Sequence, residues 1–311
     1  MVDAVVTWVD GSDPEYKKKR SKWLARRDPE VGEKSTARHE TRWNSVFELY
    51  YCLHLIRKNA PWVRTIFLVT DNQKPGWLTE DIATRLGVEI VDHTTIFSGH
   101  EWALPTFNST AIETMLHRIP GLSDRYLYFN DDTFLIRPTS KDDYFSEGMP
   151  KWRGWERRAN EQALRYLALW ITTGIKKDGF IGGRKEKELL GVTSPFFLGH
   201  APHPFLKHYT RRVIETDNRL ESNIAYKFRT WDGFNPAMLV ANAGLNEEKA
   251  AKGPDDWENI EPKHGTKGIR KRLSRCKRKN HIKTVCIQSI DVMPVHLQNE
   301  VEFFLSASLC S

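Results

Sequence analysis

Four short runs rich in β-branched and aromatic residues fall in the first 132 positions, and each ends in a polar turn. Ala4 to Val9 runs into Asp10-Gly11-Ser12-Asp13-Pro14, and Val63 to Thr70 into Asp71-Asn72-Gln73-Lys74-Pro75-Gly76. Gly87 to Val91 is closed by Asp92-His93, and Arg125 to Phe129 by Asn130-Asp131-Asp132. Between them, Asn44 to Lys58 carries apolar side chains at Val46, Leu49, Tyr50, Leu53 and Ile56, a helical spacing, and Thr110 to Ile119 reads as a helix stopped by Pro120-Gly121. Strands alternating with helices predict an α/β fold built on a mainly parallel, Rossmann-like sheet. Every polar turn follows a strand, so Asp10, Asp13, Asp71, Asn72, Asp92, His93 and Asp131 are expected at the carboxyl edge, where open α/β sheets bind ligands.

The 311 residues suit one large domain of this kind or two small ones. The formal charge of +7 invites a nucleic-acid reading, but it is concentrated. Lys17 to Arg27 holds 7 bases and no acid, Lys263 to Lys283 holds 10 and no acid, and the rest has 30 bases against 40 acids. Few aromatics interleave with the second run, so a single-strand nucleic-acid role is disfavoured. A polyanionic product or anionic lipid head groups suit it better, as does a flexible loop. No apolar run reaches membrane-spanning length; Tyr166 to Ile175, the longest candidate, reads as a core helix within a helical insertion at 141–193. The segment after Ser194 reads as a proline-punctuated loop, then a helix from Leu206 to Lys227, and 239–281 as a basic loop or helical segment. The start of the chain has no signal-peptide pattern, and Cys52, Cys276, Cys286 and Cys310 have no CxxC spacing, so free thiols in a cytoplasmic, reducing setting are expected. The sequon Asn108-Ser109-Thr110 is then coincidental.

Asn130-Asp131-Asp132 carries the strongest chemical signal. Two adjacent carboxylates after an apolar strand form a hard-oxygen site for Mg²⁺ or Mn²⁺, metals that bridge diphosphate oxygens; the plain alternative is a capped turn. No GxGxxG is present, and Gly174 to Gly179 is followed by Phe180 where a phosphate loop needs Lys, which argues against an NTPase or dinucleotide enzyme. His200 and His203 lie three apart, but Pro202 and Pro204 forbid the helix that a zinc pair of this spacing needs. A general base or a phosphate hydrogen-bond donor is the functional reading, and two surface histidines the plain one. Arg229 offers a planar fork for a phosphoryl group.

These residues fall in phrases that resemble the Stealth family of hexose-1-phosphate transferases. DAVVTWVDGSDP (Asp3 to Pro14) is similar to its first block. Arg42 to Arg137 is similar to the second, with KNAPWVRTIFLVTDNQKPGWL and LPTFNSTAIETMLHRIPGLSDRYLYFNDD. GHAPHPFLK with KFRTWDGFNP is similar to the third, and KTVCIQSID to the fourth. The resemblance implies a single catalytic domain over 1–311, a GT-A-like nucleotide-sugar fold, and transfer of a sugar-1-phosphate from a UDP-sugar to a glycan hydroxyl with release of UMP. It also implies His200 as acid/base, Arg229 as phosphate clamp and Asp131 and Asp132 as the metal and diphosphate site. Donor or acceptor contacts are implied for Thr7, Trp8, Asp10, Gly11, Ser12, Asp13, Arg42, Asn108, Asn130, His203 and Gln288. One departure stands out: the family's Cys-Ile-Asn-Asp reads Cys286-Ile287-Gln288-Ser289 here, so Asp291 or Asp131 must take over if the missing carboxylate matters. A conventional glycosyltransferase releasing UDP and a catalytically impaired glycan-binding relative are the competing readings. Peripheral contact with the inner, anionic face of the cell membrane is the expected location.

Overall fold

The structure is a computed structural model and describes residues 1–26, 46–156, 184–192, 194–230 and 232–310. Arg42, the candidate helix Tyr166 to Ile175 and most of the 141–193 segment lie outside the described residues.

The strands are β1 (Val2–Thr7), β2 (Ile66–Thr70), β3 (Val88–Asp92), β4 (Arg125–Asn130), β5 (Thr133–Leu135), β6 (Phe145–Ser146), β7 (Met149–Trp152), β8 (Gly154–Glu156), β9 (Phe196–Leu198), β10 (His203–Leu206), β11 (Ala251–Lys252), β12 (Trp257–Ile260) and β13 (Thr284–Ile287). The central sheet has the order β10-β4-β1-β2-β3. Its β1, β2, β3 and β4 are parallel, and β10 is an antiparallel edge. Helices Glu48–Asn59, Glu80–Leu86 and Ser109–Met115 connect the parallel strands, as βαβ crossovers require. The fold is therefore α/β with a mainly parallel, Rossmann-like sheet.

Both faces of this sheet are covered, so β1 is almost wholly apolar. Val2, Ala4 and Val6 face a core shared with Leu53, Ile56, Leu127 and Phe129, while Val5 faces a second core with Val69, Met115, Tyr126 and Tyr128. Asp3 is the exception. It is fully buried, and although burial alone would raise its pKa, the Arg64 guanidinium (Nε–Oδ1 2.8 Å, Nη2–Oδ2 2.7 Å) and the Ser123 amide hold it below the usual carboxyl value.

The sheet order reverses at β1: β2 lies on one side and β4 on the other. That is the topological switch point at which α/β sheets open a ligand crevice. From β4 the chain passes through Asp131-Asp132 directly into β5, which belongs to a second sheet of order β12-β13-β5. The acidic pair therefore sits at the seam between two sheets.

Two local expectations are corrected. The first strand starts two residues earlier than its apolar run suggests and ends at Thr7, where the chain turns toward Asp10. The stretch expected as one helix from Leu206 to Lys227 begins with the last residue of β10 and contains two helices, Lys207–Ile214 and Arg219–Ile224. Asp217 (φ 53°) and Asn218 (φ 56°) break it, in a conformation that Asp and Asn tolerate better than other side chains. In the basic run 263–283, read as a loop or a helical segment, most residues form the helix Gly265–Arg278, which buries Ile269, Leu273 and Cys276. Cys52, Cys276 and Cys286 are buried free thiols and Cys310 an exposed one. No helix among the described residues is long and apolar enough to cross a membrane.

Candidate active site

Register brings the separate motifs to one place. Thr7 ends β1 directly opposite Asn130, which ends β4. Because β10 runs antiparallel to β4 with His203 opposite Tyr128, the preceding loop with His200 lies beyond the carboxyl end of β4. Because β13 runs antiparallel to β5 with Cys286 opposite Thr133, Gln288 emerges beside Asp132, whose carbonyl accepts the Ile287 amide (3.0 Å). The Gln288 amide group closes the ring, with its Nε2 3.1 Å from His200 Nδ1.

The β1 turn is built from its own polar groups. Gln73 grips the Asp10 backbone at both ends: its Oε1 accepts from the Asp10 amide (2.9 Å) and its Nε2 donates to the Asp10 carbonyl (3.0 Å). The Asp10 carboxylate accepts from the Ser12 amide and hydroxyl, and Asp13 caps helix Pro14–Leu24 through the Tyr16 amide (2.7 Å). Both carboxylates thus shape the loop that Trp8, Gly11 and Ser12 occupy. Asp71 pairs with Lys19 (2.7 Å). His93 is buried, and burial depresses its pKa to about 4.

At the seam, Asp131 and Asp132 are only partly exposed. Burial raises the Asp131 pKa well above the carboxyl range, with Asp132 and Glu48 adding like-charge repulsion; burial and Glu48 bring Asp132 to about 6. Oxygen donors that repel one another fit a hard divalent cation. Among the described residues no three His, Cys, Asp or Glu side chains form a complete cage. Two carboxylates are a set that a hard divalent cation can use, with water and substrate phosphates completing its shell.

Across the crevice, the Tyr128 hydroxyl donates to Asn130 Oδ1 (2.8 Å) and lies 3.1 Å from Thr7 Oγ1. Glu113 also hydrogen-bonds Tyr128; burial lifts its pKa to about 7 against the pull of Arg229 and Tyr128. Arg229 is held by one fork tip, Nη2 to Ser109 Oγ (2.5 Å), while its buried Nε has no hydrogen-bond partner among the described residues. Asn108 caps helix Ser109–Met115 and donates to the Tyr226 carbonyl (3.2 Å), pinning the strand of chain that carries Arg229. Asn108 therefore supports the site from beneath.

The His200 turn depends on a glycine. A Cβ at Gly199 would stand 2.4 Å from the Trp257 ring, so only glycine lets this turn lie flat on the indole. The His200 ring reaches solvent, yet the surrounding protein desolvates it enough to lower its pKa, which keeps it neutral near pH 7. His203, inside β10, is held down to about 3 by burial, so it is a neutral packing group against Trp152 and Tyr128.

Sequence reasoning misses Glu113, Tyr128, Ser109, Glu48 and Gln73. Two carry a readable signal. Tyr128 is two residues before Asn130 and so shares its strand face, and Glu113 follows Ser109 by one helical turn.

The chain matches two family models, Stealth protein CR1, conserved region 1, over residues 2–28 and Stealth protein CR2, conserved region 2, over residues 42–152. The capsular polysaccharide phosphotransferase WcwK of Streptococcus pneumoniae is 40% identical over 293 residues, covering 82% of this chain and 86% of that protein. The receptor polysaccharide phosphotransferase WefC of Streptococcus oralis is 34% identical over 252 residues, 73% of each. Other relatives are longer: the chain spans between 22% and 38% of the Streptomyces coelicolor SCO6023 and SCO2592 and Actinobacillus pleuropneumoniae cps1A and cps12A phosphotransferases. The solved galactosyltransferase LgtC aligns over 99% of this chain and 96% of its own at 10% identity and a TM-score of 0.48, a likeness too distant to carry an inference.

Proposed function

The chain belongs to the Stealth family, and from that premise we propose that it is a phosphotransferase of surface-polysaccharide synthesis. It moves a hexose-1-phosphate, N-acetylhexosamine- or glucose-1-phosphate, from a UDP-sugar to a hydroxyl of a glycan. The observation that carries this reading is the convergence of four distant motifs at the β1/β4 switch point: the Thr7 turn, Asn130-Asp131-Asp132, the His200 turn and Gln288.

In the reaction the acceptor oxygen bonds to the phosphorus that bears the sugar. The bond from that phosphorus to the bridging oxygen of UMP breaks, and the hydroxyl proton goes to His200. A neutral imidazole can take it. Arg229, its plane fixed by Ser109, binds the phosphoryl oxygens, and the Thr7 to Asp13 turn receives the nucleotide. Asp131 and Asp132 would hold Mg²⁺, or Mn²⁺ in its place, which supplies charge neutralisation for the diphosphate. We place the enzyme at the cytoplasmic face of the membrane, held by helix Gly265–Arg278. Of the ten bases in 263–283, Lys263, Arg270, Arg272, Arg275 and Lys283 are in ion pairs, whereas Lys267, Lys271, Lys277, Arg278 and Lys279 are exposed and form none within the described residues.

A conventional glycosyltransferase would attack the anomeric carbon and release UDP. Incubation with a UDP-sugar, Mg²⁺ and a glycan acceptor separates the two: UMP with phosphorus in the product supports phosphotransfer, and UDP with a phosphorus-free product refutes it.

A further inference from the structure

Gln288 stands where the family resemblance implies a substrate contact, but its amide is spent on the catalytic imidazole. Its Nε2 lies 3.1 Å from His200 Nδ1. Both partners are anchored from behind. The Gln288 backbone amide donates to the Ile260 carbonyl (2.9 Å), and Ser289 turns the chain away at φ 53°. The Gly199 amide donates to the Arg153 carbonyl (2.8 Å), and Arg153 is itself fixed by a buried two-point ion pair to Asp256 (2.5 and 2.7 Å). The main chain at each end is therefore tied to a neighbouring segment.

From this geometry we infer that Gln288 is the positioning residue of His200, fixing the ring's rotation so that Nε2 faces the substrate. The inference rests on the phosphotransfer reading of His200. An imidazole has two nitrogens, and the hydrogen bond made by one decides what the other can do. With the amide Nε2 toward the ring, Nδ1 accepts and the outward Nε2–H is a donor to a phosphoryl oxygen. Turned end for end, the amide presents Oε1 to an Nδ1–H, and the outward Nε2 is bare and able to take the acceptor hydroxyl's proton. The resulting imidazolium keeps its Nδ1–H on Oε1. A neutral amide can serve both states without adding a charge. The other charged groups acting on His200 are Glu261, which favours its protonated form, and Lys263, which opposes it; His203 is the nearby second imidazole.

The test uses the full chain with His200→Ala, Gln288→Leu, Gln288→Glu and the His200→Ala/Gln288→Leu double variant, each checked for folding by circular dichroism. Gln288→Leu is expected to lower kcat by about tenfold or more with KM for the UDP-sugar changed less than about threefold. Gln288→Glu puts a carboxylate on the ring, and its acid limb of kcat/KM is expected to move up by about one pH unit. In ¹⁵N-histidine spectra the His200 Nδ1 signal should carry the shift of a hydrogen-bonded nitrogen in the wild type and lose it in Gln288→Leu. In the His200→Ala background Gln288→Leu should cost nothing further. Unchanged kcat, pH profile and Nδ1 shift in folded Gln288 variants, with His200→Ala reduced to a small residual rate, would overturn the inference; so would an equal fold loss of that residual rate when Gln288→Leu is added. An active His200→Ala overturns the phosphotransfer role of His200 itself, a result distinct from either.

Discussion

Thr7 and Asn130 end neighbouring parallel strands directly opposite one another, and both reach the same phenol oxygen, that of Tyr128 (3.1 and 2.8 Å). Glu113 joins that oxygen from the helix behind. The floor of the crevice is therefore one hydrogen-bonded unit that links the first block of the sequence to the acidic pair far along the chain.

Glu113 gives that unit a pH signature. Its pKa in the fold, about 7, lies above the ordinary carboxyl value of 4.5, so between these pH values the folded protein keeps a proton that the unfolded chain has released. Stability from this group is complete below about pH 4.5 and is lost as pH rises through 7. Glu113→Gln removes the dependence. Its stability relative to wild type should be near zero at pH 4.5 and rise to at most about 3 kcal/mol at pH 8, measured by urea unfolding. A difference constant across that range contradicts the assignment.

Arg229 should prove irreplaceable as a fork. Its Nη2 is held by Ser109, which fixes the plane of the guanidinium that a phosphoryl group would meet. Arg229→Ala is expected to lower kcat/KM for the UDP-sugar by about a hundredfold, and Arg229→Lys to regain less than about a tenth of wild-type activity. Full rescue by lysine would mean that charge alone is used.

The acidic pair should answer to metal. Asp131→Asn and Asp132→Asn are expected to abolish the dependence of initial rate on Mg²⁺ concentration and to lower activity by about a hundredfold or more. Calorimetric titration of Mg²⁺ in the presence of UDP should lose its heat in both variants. Retained metal stimulation in either places the ligand on another carboxylate.

The basic helix divides into two kinds of charge. Arg272 and Arg275 both pair with Glu258, which is buried, so the double alanine variant should lose about 3 kcal/mol or more of stability. Replacing Lys267, Lys271, Lys277, Arg278 and Lys279 with glutamine should leave the melting temperature within a few degrees while abolishing sedimentation with phosphatidylglycerol vesicles at low salt. Unchanged vesicle binding would make this face an ordinary solvated surface.

Much of this site is legible in the amino-acid sequence alone. The strand-terminal turns announce a carboxyl edge, and Asp131-Asp132 and His200 stand out by residue type. Which turns are neighbours is not legible, because strand order is set by packing across the sheet and not by local pattern. The same holds for Gln288 meeting His200 across 88 residues. The single helix expected from Leu206 to Lys227 fails for a local reason: apolar spacing continues through Asp217 and Asn218, whose left-handed backbone ends one helix and begins the next. Glu113 escapes notice because a carboxylate on a helix reads as solvent-facing until tertiary burial changes its pKa.

The central claim is the bond that breaks. With a UDP-sugar labelled with ³²P at the phosphorus attached to the sugar, an unlabelled glycan acceptor and Mg²⁺, the account predicts that the label moves into the glycan as a phosphodiester and that unlabelled UMP is released in equal amount. Label retained in released UDP, with sugar alone in the glycan, would contradict it.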